Sequence, residues 1–180
     1  MLRKIEQEVQ NLGAFRARVV ETSRVVFESS FRKMCEQNAC GMYRKCYMCP
    51  PDIGEVDTLI SEARSYPYAL IYQTVTPLED SFDIEGMEEG KRAHNRLTFS
   101  LRPLFEKLGF MNALHLGAGA CGVCDTCAKV TGEPCRFPER ATPSLEAYGV
   151  NVYETSKVAE MQYINGQNTV TYFGAVFFHL

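Results

Sequence analysis

The sequence predicts an α/β or α+β fold in which a single mixed sheet is flanked by helices and interrupted by two cysteine-rich loops. Three observations support this prediction. Apolar residues recur at helical spacing, β-branched and aromatic residues cluster in short runs, and the two kinds of segment alternate along the chain. Such alternation is typical of helices packed against one sheet. Because the chain has 180 residues and no low-complexity linker, we expect residues 1–180 to form a single domain.

The predicted helices follow apolar steps of three and four residues. The first apolar stripe ends at Gly13 and consists of Leu2, Ile5, Val9 and Leu12. A second helix is expected over residues 56–63, and a longer one from Met87 to Gly109, which Pro103 should kink or split in two. Two further helices are expected: a short one over 144–149 and a longer one over 153–161.

The predicted strands are runs of β-branched, aromatic and aliphatic residues, and they lie at 14–20, 24–27, 68–75, 112–117 and 168–180. The last of these is the strongest strand signal in the chain. It follows an Asn-Gly turn at Asn165 and Gly166. The first cysteine-rich loop follows the second run, and the other follows the strand at 112–117.

Composition limits the classes of function. Hydrophobic residues make up 46% and charged residues 23%, and the formal net charge of -3 comes with no block of Lys or Arg, so we expect no nucleic-acid and no membrane partner. The amino terminus lacks the apolar run of a signal peptide, so we expect a cytoplasmic protein. Because the cytosol keeps thiols reduced, eight cysteines indicate metal or redox chemistry rather than disulfides.

The eight cysteines fall into two short loops. The first loop, "CEQNACGMYRKCYMCPP", has the spacing Cys-x4-Cys-x5-Cys-x2-Cys-Pro-Pro and contains Cys35, Cys40, Cys46 and Cys49. The second, "CGVCDTCAKVTGEPC", has the spacing Cys-x2-Cys-x2-Cys-x7-Cys and contains Cys121, Cys124, Cys127 and Cys135. Clustering in polar, Gly- and Pro-rich loops argues against scattered core cysteines.

The spacing of the second loop favours an iron–sulfur cluster. Three cysteines at successive x2 spacing can wrap three corners of an iron–sulfur cube, and a more distant cysteine completes the set. Eight cysteines are the number that two [4Fe–4S] clusters require. Either each loop holds its own cluster, or Cys49 and Cys135 exchange between the clusters, as a Cys-Pro cysteine does in two-cluster ferredoxins. The spacing slightly favours the arrangement in which each loop holds its own cluster, but it does not decide between the two arrangements.

Zinc is the alternative cofactor. A four-thiolate zinc site could pair Cys46-x2-Cys49 with Cys121-x2-Cys124, although this leaves four cysteines without a role. Two clusters would change the chain's charge from -3 to about -7, which basic residues near the loops could offset. These residues are Arg32, Lys33, Arg44, Lys45, Lys129, Arg136 and Arg140.

Other residues near the loops are secondary candidates. Gly117, Gly119 and Gly122 would let the backbone approach a cluster. We expect aromatic side chains to shield the clusters, namely Tyr43, Tyr47, Phe137 and Tyr148. Glu146 is either an acid–base group or a carboxylate at a helix amino terminus. His115 is either close to a cluster or, as core histidines commonly are, packed inside the sheet.

The motifs resemble a known family. The segments "CEQNACGMYRKCYMCPPDIG", "LGAGACGVCDTCAKVTGEPCRFPERATPSLEAYGVNV" and "NTVTYFGAVFF" are similar, in the same order, to a family of prokaryotic predicted metal-binding proteins of unknown function. The resemblance spans nearly the whole chain, and all eight cysteines match the family frame. It implies metal binding, iron–sulfur chemistry and an anaerobic bacterial or archaeal source. It implies no reaction.

These observations lead to three hypotheses. The first is an electron-transfer protein with two [4Fe–4S] clusters, acting on a redox partner protein as a carrier or as an accessory subunit. The second is an iron–sulfur enzyme that acts on a small substrate at a cluster, assisted by Glu146 or His115. The third is a zinc-stabilised interaction module. Each is compatible with a homo-oligomer.

Overall fold

The structure, a computed structural model, describes residues 1–180 and contains five α-helices and four strands. The helices are α1 (Leu2–Asn11), α2 (Phe31–Glu36), α3 (Val56–Arg64), α4 (Ile84–Lys107) and α5 (Val152–Val158). The strands are β1 (Arg16–Glu21), β2 (Tyr68–Pro77), β3 (Leu114–Leu116) and β4 (Thr169–Phe178). One sheet with helices packed on it is an α+β fold, which confirms the predicted fold class.

The four strands form one sheet in the order β1-β2-β4-β3, and all three neighbouring pairs are antiparallel. The sheet is therefore not mixed, and this part of the prediction is corrected. The reason is the position of β4. Strands β2 and β3 run in the same direction, and α4 lies between them in sequence, as in a βαβ unit. They are nevertheless not neighbours in the sheet, because β4 lies between them and pairs with both.

The two faces of the sheet carry separate hydrophobic clusters. Along β2, Leu70 and Tyr72 point to one face, where they pack with α1 and α4. Ala69 and Ile71 point to the opposite face, where they pack with residues from the two long connections that contain the cysteines. This alternation follows from the two-residue period of a strand. Helices α1 and α4 thus cover one face, and the cysteine-bearing connections cover the other.

Most predicted elements are present, with shifted ends. Helix α4 begins at Ile84, ahead of the predicted Met87, because the Asp83 side chain accepts a hydrogen bond of 2.8 Å from the Gly86 amide. The helix runs through Pro103 and is not split in two. Buried side chains on both sides of the proline, including Leu97 and Phe105, hold the two halves to the sheet. None of the helices has both the length and the apolar character needed to cross a membrane.

Two segments differ from the sequence-based expectation. The strand expected at 24–27 is wrong: a 3-10 helix occupies Thr22–Arg24, and Phe27 makes only a single bridge to Val150. Conversely, α2 was not expected, because its six residues are too short to show an apolar period. It carries Cys35 in its last turn. The short helix expected at 144–149 is a 3-10 helix at Glu146–Tyr148.

Two of the three histidines are buried in the fold. His94 on α4 shares a hydrogen bond of 2.9 Å with the Thr74 hydroxyl, and the His115 ring on β3 meets the Phe105 ring edge-on at 5.7 Å between centroids. His115 is 4% exposed and its Nδ1 has no hydrogen-bond partner, so the structure places it in the core. Burial lowers the pKa of each histidine to about 3.

These lowered pKa values make stability depend on acidity. Between pH 6.5 and about 3 the unfolded chain binds a proton at each histidine and the folded chain does not, so acidification favours unfolding. From pH 7 to pH 5 the free energy of unfolding should fall by about 2 kcal/mol per histidine. His115→Leu should remove about half of the loss due to the two histidines. Denaturant unfolding of the parent protein and of His115→Leu, at pH 7 and pH 5 and in the same metal state, measures the loss of unfolding free energy. An equal loss in the two proteins would contradict the prediction.

Candidate metal centre

The two cysteine-bearing connections lie on the same face of the sheet. The first connection, residues 22–67, joins β1 to β2, and the second, residues 117–168, joins β3 to β4. Leu59 from the first connection and Leu145 from the second both pack against Ile71 and its neighbours in one hydrophobic cluster. Burial of apolar side chains from both connections therefore brings two loops that are distant in sequence to one side of the molecule.

Backbone bridges fix the positions of the two connections. Phe27 pairs with Val150 in an antiparallel bridge, supported by a hydrogen bond of 2.8 Å from the Asn151 amide to the Val26 carbonyl. Gly117 pairs with Ser144 in a parallel bridge, which closes the second cysteine loop at its base. The bridge between Phe27 and Val150 joins the first connection to the second. Both cysteine loops consequently start from anchored backbone.

Side chains also join the two cysteine loops directly. The Tyr47 hydroxyl donates a hydrogen bond of 2.7 Å to the Glu133 carbonyl, and Lys129 forms an ion pair with Asp52. Arg32 on α2 donates hydrogen bonds to the carbonyls of Gly54, at 2.7 Å, and Ala147, at 3.4 Å. Arg32 and Lys129, which the sequence suggested as counter-charges, are thus engaged in holding the loops together.

All eight cysteines are free thiols, and the structure divides them into a group of three and a group of five. One group lines a cavity of about 470 Å³, which we call the three-thiol cavity; it contains Cys35, Cys40 and Cys49. The other lines a narrow space of about 20 Å³, which we call the five-thiol crevice; it contains Cys46, Cys121, Cys124, Cys127 and Cys135. The first loop therefore contributes to both groups.

Cys46 and Cys49 are the point where the two groups meet. Cys46 is 1% exposed, and a hydrogen bond with the Cys49 thiol lowers the pKa of the Cys46 thiol, with backbone amides of Met48 and Cys121 acting in the same direction. The same contact, followed by burial, raises the pKa of the Cys49 thiol. Since a thiolate is the form that binds metal, this shared hydrogen bond favours deprotonation of one thiol of the pair.

The walls of the three-thiol cavity are mainly apolar. Aromatic and aliphatic side chains make up most of the lining, among them Phe31, Tyr43, Val150, Val152, Tyr153 and Tyr163. Glu146 contributes the only carboxylate, and it makes no side-chain hydrogen bond or ion pair within the protein. It is close enough to Cys35 to help raise the pKa of that thiol, although burial has the larger effect. The structure therefore places the suggested acid–base residue, which is exposed, on the same cavity as the Cys35 thiol.

Helix α4 supplies two cations behind the thiols. Lys91 is partly buried, and its Nζ donates a hydrogen bond of 3.2 Å to Asn95; burial lowers the pKa of Lys91, while Glu146 and Cys121 oppose that shift. Arg102 donates a hydrogen bond of 3.1 Å to the Ala141 carbonyl and also lies near Cys121. Both side chains can offset negative charge at the thiols. Neither cation was predicted from the sequence, because both lie far from the cysteines along the chain.

Gly122 allows the second cysteine loop to pack on α4. A Cβ atom at this position would lie 2.1 Å from the Asn95 amide nitrogen, which is far inside any permitted contact. The absence of a side chain at Gly122 thus permits contact with the Asn95 side chain on the helix, a role different from the predicted approach to a cluster. Lys91 and Asn95 are one helical turn apart, so the same contact places the Lys91 cation beside the loop.

Three of the four aromatic residues that the sequence suggested as shields line one of the two thiol groups. Tyr43 lines the three-thiol cavity, while Tyr47 and Phe137 line the five-thiol crevice. Tyr148 instead lies in the hydrophobic core below the loops, where its hydroxyl donates a hydrogen bond of 2.8 Å to Glu62. Three of the four residues therefore lie beside thiols, and the fourth does not.

The donor set fits a thiophilic metal. The structure brings together eight free thiols, backbone amides that point at one of them, and two cations from α4. Sulfur ligands of this kind select zinc or iron–sulfur clusters over the hard cations, which prefer oxygen. A metal centre is therefore compatible with the chemistry of this face of the molecule.

Comparison with known proteins agrees with this chemistry. No curated protein and no solved structure matches the chain. The profile of one family, described as "Predicted metal-binding protein (DUF2284)", matches residues 18–178, which include all eight cysteines and nearly all of the sheet. The resemblance noted in the sequence is thereby confirmed, and the chain belongs to this family of predicted metal-binding proteins.

Proposed function

We propose that this protein binds two [4Fe–4S] clusters through its cysteine thiolates and takes part in one-electron transfer, as a carrier or as an accessory subunit of a redox system in the cytoplasm. The observation that carries the proposal is the convergence of eight free thiols into two groups that touch at Cys46 and Cys49. When bound, the clusters would supply the redox chemistry. The chain supplies the ligands, the counter-charge and the access for a partner.

The ligand requirements of a single ion and of a cluster differ, and the thiols can be compared with both. No three side chains among His, Cys, Asp and Glu stand close enough together to hold one metal ion. In a tetrahedral zinc site the sulfur atoms lie about 3.8 Å apart, because each Zn–S bond is about 2.3 Å long. In an iron–sulfur cluster each thiolate binds a different iron, so its ligands stand further apart. The thiols therefore form no ready-made site for a single ion, although the Cys46 sulfur contacts both Cys49 and Cys127.

The surroundings of the thiols suit an anionic cofactor near the surface. Lys91 and Arg102 lie behind Cys121, where they would stabilise added negative charge. On the solvent side, Cys40 is exposed and most of the other thiols are half-buried. A redox partner protein could therefore approach either group closely, past Tyr47 and Phe137 in the case of the five-thiol crevice.

A reductive titration tests this proposal. Protein purified without oxygen and titrated with dithionite should accept about two electrons per chain reversibly, one for each cluster. Because the two groups meet at Cys46 and Cys49, the electron paramagnetic resonance (EPR) spectrum of the fully reduced protein should show broadening from magnetic interaction between the clusters. A protein that accepts no electrons would contradict the proposal.

Lys91 gives a second prediction, for the reduction potential. Reduction adds one negative charge, which the Lys91 cation beside Cys121 stabilises. Lys91→Met should therefore lower the potential of the nearer cluster by roughly 40 mV, equivalent to about 1 kcal/mol for one electron. Lys107→Met, at the exposed end of the same helix, is the matched control and should change the potential little. Equal shifts in the two variants, measured by spectroelectrochemistry, would exclude this role for Lys91.

A zinc-stabilised interaction module is the second candidate, and one observation favours it. The five-thiol crevice has about 20 Å³ of free space, close to the room that one water needs, so a four-iron cluster would require it to widen. Four of the five thiols in it are only half-buried and lie on the second loop, which permits such widening. A colourless protein that contains zinc and no sulfide would select this candidate.

A further inference from the structure

We infer that this protein forms a symmetric dimer, in which β4 of one copy pairs antiparallel with β4 of a second copy. The pairing uses residues 169–172 on the side of β4 that faces away from β2, which we call the open edge of β4. The inference goes beyond the proposed function and does not depend on which metal the thiols bind. It rests on the backbone hydrogen bonds of β4, on the side chains along its open edge and on a contrast with the outer strands of the sheet.

The first argument is that the open edge has no partner within the chain. Strand β2 pairs with β4 along the whole of β4, whereas β3 pairs only with residues 175–177. Residues 169–172 therefore have a neighbouring strand on one side only, and no other segment of the chain forms a backbone hydrogen bond with them. These four residues are half-buried, so a further strand can reach them.

The direction of the backbone groups on β4 follows from one hydrogen bond at its start. The Leu78 amide donates to the Asn168 carbonyl at 2.8 Å, in register with the pairing of β2 and β4. Along an antiparallel pair, the backbone groups of successive residues point alternately to the two sides of the strand. The even-numbered residues of β4 therefore point at β2. Thr169 and Thr171 point the other way, with free amides and carbonyls at the open edge.

The second argument is that the outer strands of the sheet are protected against pairing and the open edge of β4 is not. Strand β1 carries the charged residues Arg16, Arg18 and Glu21. Its Val19 amide also donates a hydrogen bond of 2.8 Å to Glu6 Oε1 on α1. Strand β3 has only three residues. Charged side chains and very short strands are common means of preventing association between sheets. The open edge, Thr-Val-Thr-Tyr, has neither charge nor proline and consists of residue types that favour strands.

The third argument is that the open edge is complementary to itself, which points to a second copy of the chain as the partner. Phe173, the next odd-numbered residue, is 5% exposed and its backbone lies against His94, so the pairing is centred on Val170. A two-fold axis at Val170 places Thr169 of each copy opposite Thr171 of the other. The free amides and carbonyls of the two edges then satisfy one another. Cross-strand threonine pairs are stabilising, and no like charges face each other.

Exposed apolar side chains lie beside the open edge on the face of the sheet that carries the cysteines. Asn165 donates a hydrogen bond of 3.0 Å to the Thr171 hydroxyl, and the Tyr163 ring stacks on the Phe173 ring at 5.9 Å between centroids. Tyr163 and its neighbour Ile164 are 45% and 75% exposed. Because Tyr163 also lines the three-thiol cavity, the second copy would lie beside that cavity. Directly opposite residues share a face of the sheet, so both cysteine-bearing faces would lie on the same side of the dimer.

Sedimentation equilibrium of protein purified without oxygen tests the dimer. The parent protein should have twice the chain mass of 20.3 kDa. Thr171→Pro removes the amide that faces the second copy and leaves the hydrogen bonds to β2, since proline is tolerated where a strand needs no donor. It should weaken dimerisation at least about a hundredfold. Thr171→Val keeps the amide and is the matched control, so it should remain a dimer. A parent that stays monomeric up to about 100 μM, or equal dimerisation of the two variants, would overturn the inference.

Amide hydrogen exchange of the parent protein tests the same interface without a substitution, and it decides the matter if Thr171→Pro does not fold. The amides of Thr169 and Thr171 have no acceptor within one chain, so they should exchange rapidly in dilute solution and slowly once the dimer forms. The Val170 amide, which points at β2, should be protected at both protein concentrations. A dimer in which the Thr171 amide exchanges as fast as in the monomer would place the interface elsewhere and overturn the inference.

Discussion

Replacing Cys35 by alanine should remove about four iron and four sulfide from each chain, the complement of one [4Fe–4S] cluster. Cys35 lines the three-thiol cavity together with Cys40 and Cys49, so its loss leaves only two thiols on the cavity wall. Two thiolates do not retain a four-iron cluster, so the expected loss is complete. Iron and sulfide assays on protein purified without oxygen measure it.

Met34→Ala is the matched control for this prediction. Met34 precedes Cys35 on α2, lines the same cavity and is 60% exposed, so its replacement disturbs the same backbone without removing a thiol. This variant should keep the iron content of the parent protein. If Cys35→Ala kept it as well, Cys35 would not be a ligand and the group of three would not hold a cluster.

Replacing Gly174 by alanine should destabilise the fold by about 3 kcal/mol or more, the upper end of the cost of overpacking a core. Gly174 on β4 is paired directly with Tyr72 on β2, and the Tyr72 ring lies across it. A Cβ atom at Gly174 would come within 2.2 Å of the Tyr72 hydroxyl oxygen and 2.3 Å of the ring carbon that bears it. The ring cannot retreat easily, because that hydroxyl shares a hydrogen bond of 2.8 Å with Thr98 on α4.

Gly117→Ala provides the comparison for this second variant. At Gly117, which directly follows β3, an added Cβ atom would meet its nearest neighbours at 3.6 and 3.7 Å, an ordinary contact distance. The same chemical change should therefore alter the free energy of unfolding by less than about 1 kcal/mol. Denaturant unfolding of the two variants measures this difference in the free energy of unfolding. Similar stability in both would show that the Tyr72 ring is not fixed over Gly174.

The fold class could be predicted because strong local patterns carry it. Helix α1 has a clear apolar stripe, and β2 and β4 are long runs of β-branched and aromatic residues. The antiparallel sheet could not be predicted in the same way. The insertion of β4 between β2 and β3 is a choice of pairing partner, and residue spacing within a strand does not encode its neighbours.

The candidate site was predictable in its residue types and not in its arrangement. The spacing of the eight cysteines indicated thiol ligation, and the family match is consistent with metal binding. Their division into three and five depends on the bridge between Phe27 and Val150 and on the contact between Cys46 and the second loop, which are long-range features of the folded chain. The contribution of Lys91 depends on α4 packing behind Gly122.

The most direct test is the metal and sulfide content of the purified protein. Purified without oxygen, each chain should contain about eight iron and eight acid-labile sulfide, with no zinc, and the solution should show the broad visible absorption of iron–sulfur clusters. Zinc bound without sulfide, or pairs of these cysteines joined as disulfides, would contradict the proposal that the converging thiols hold iron–sulfur clusters.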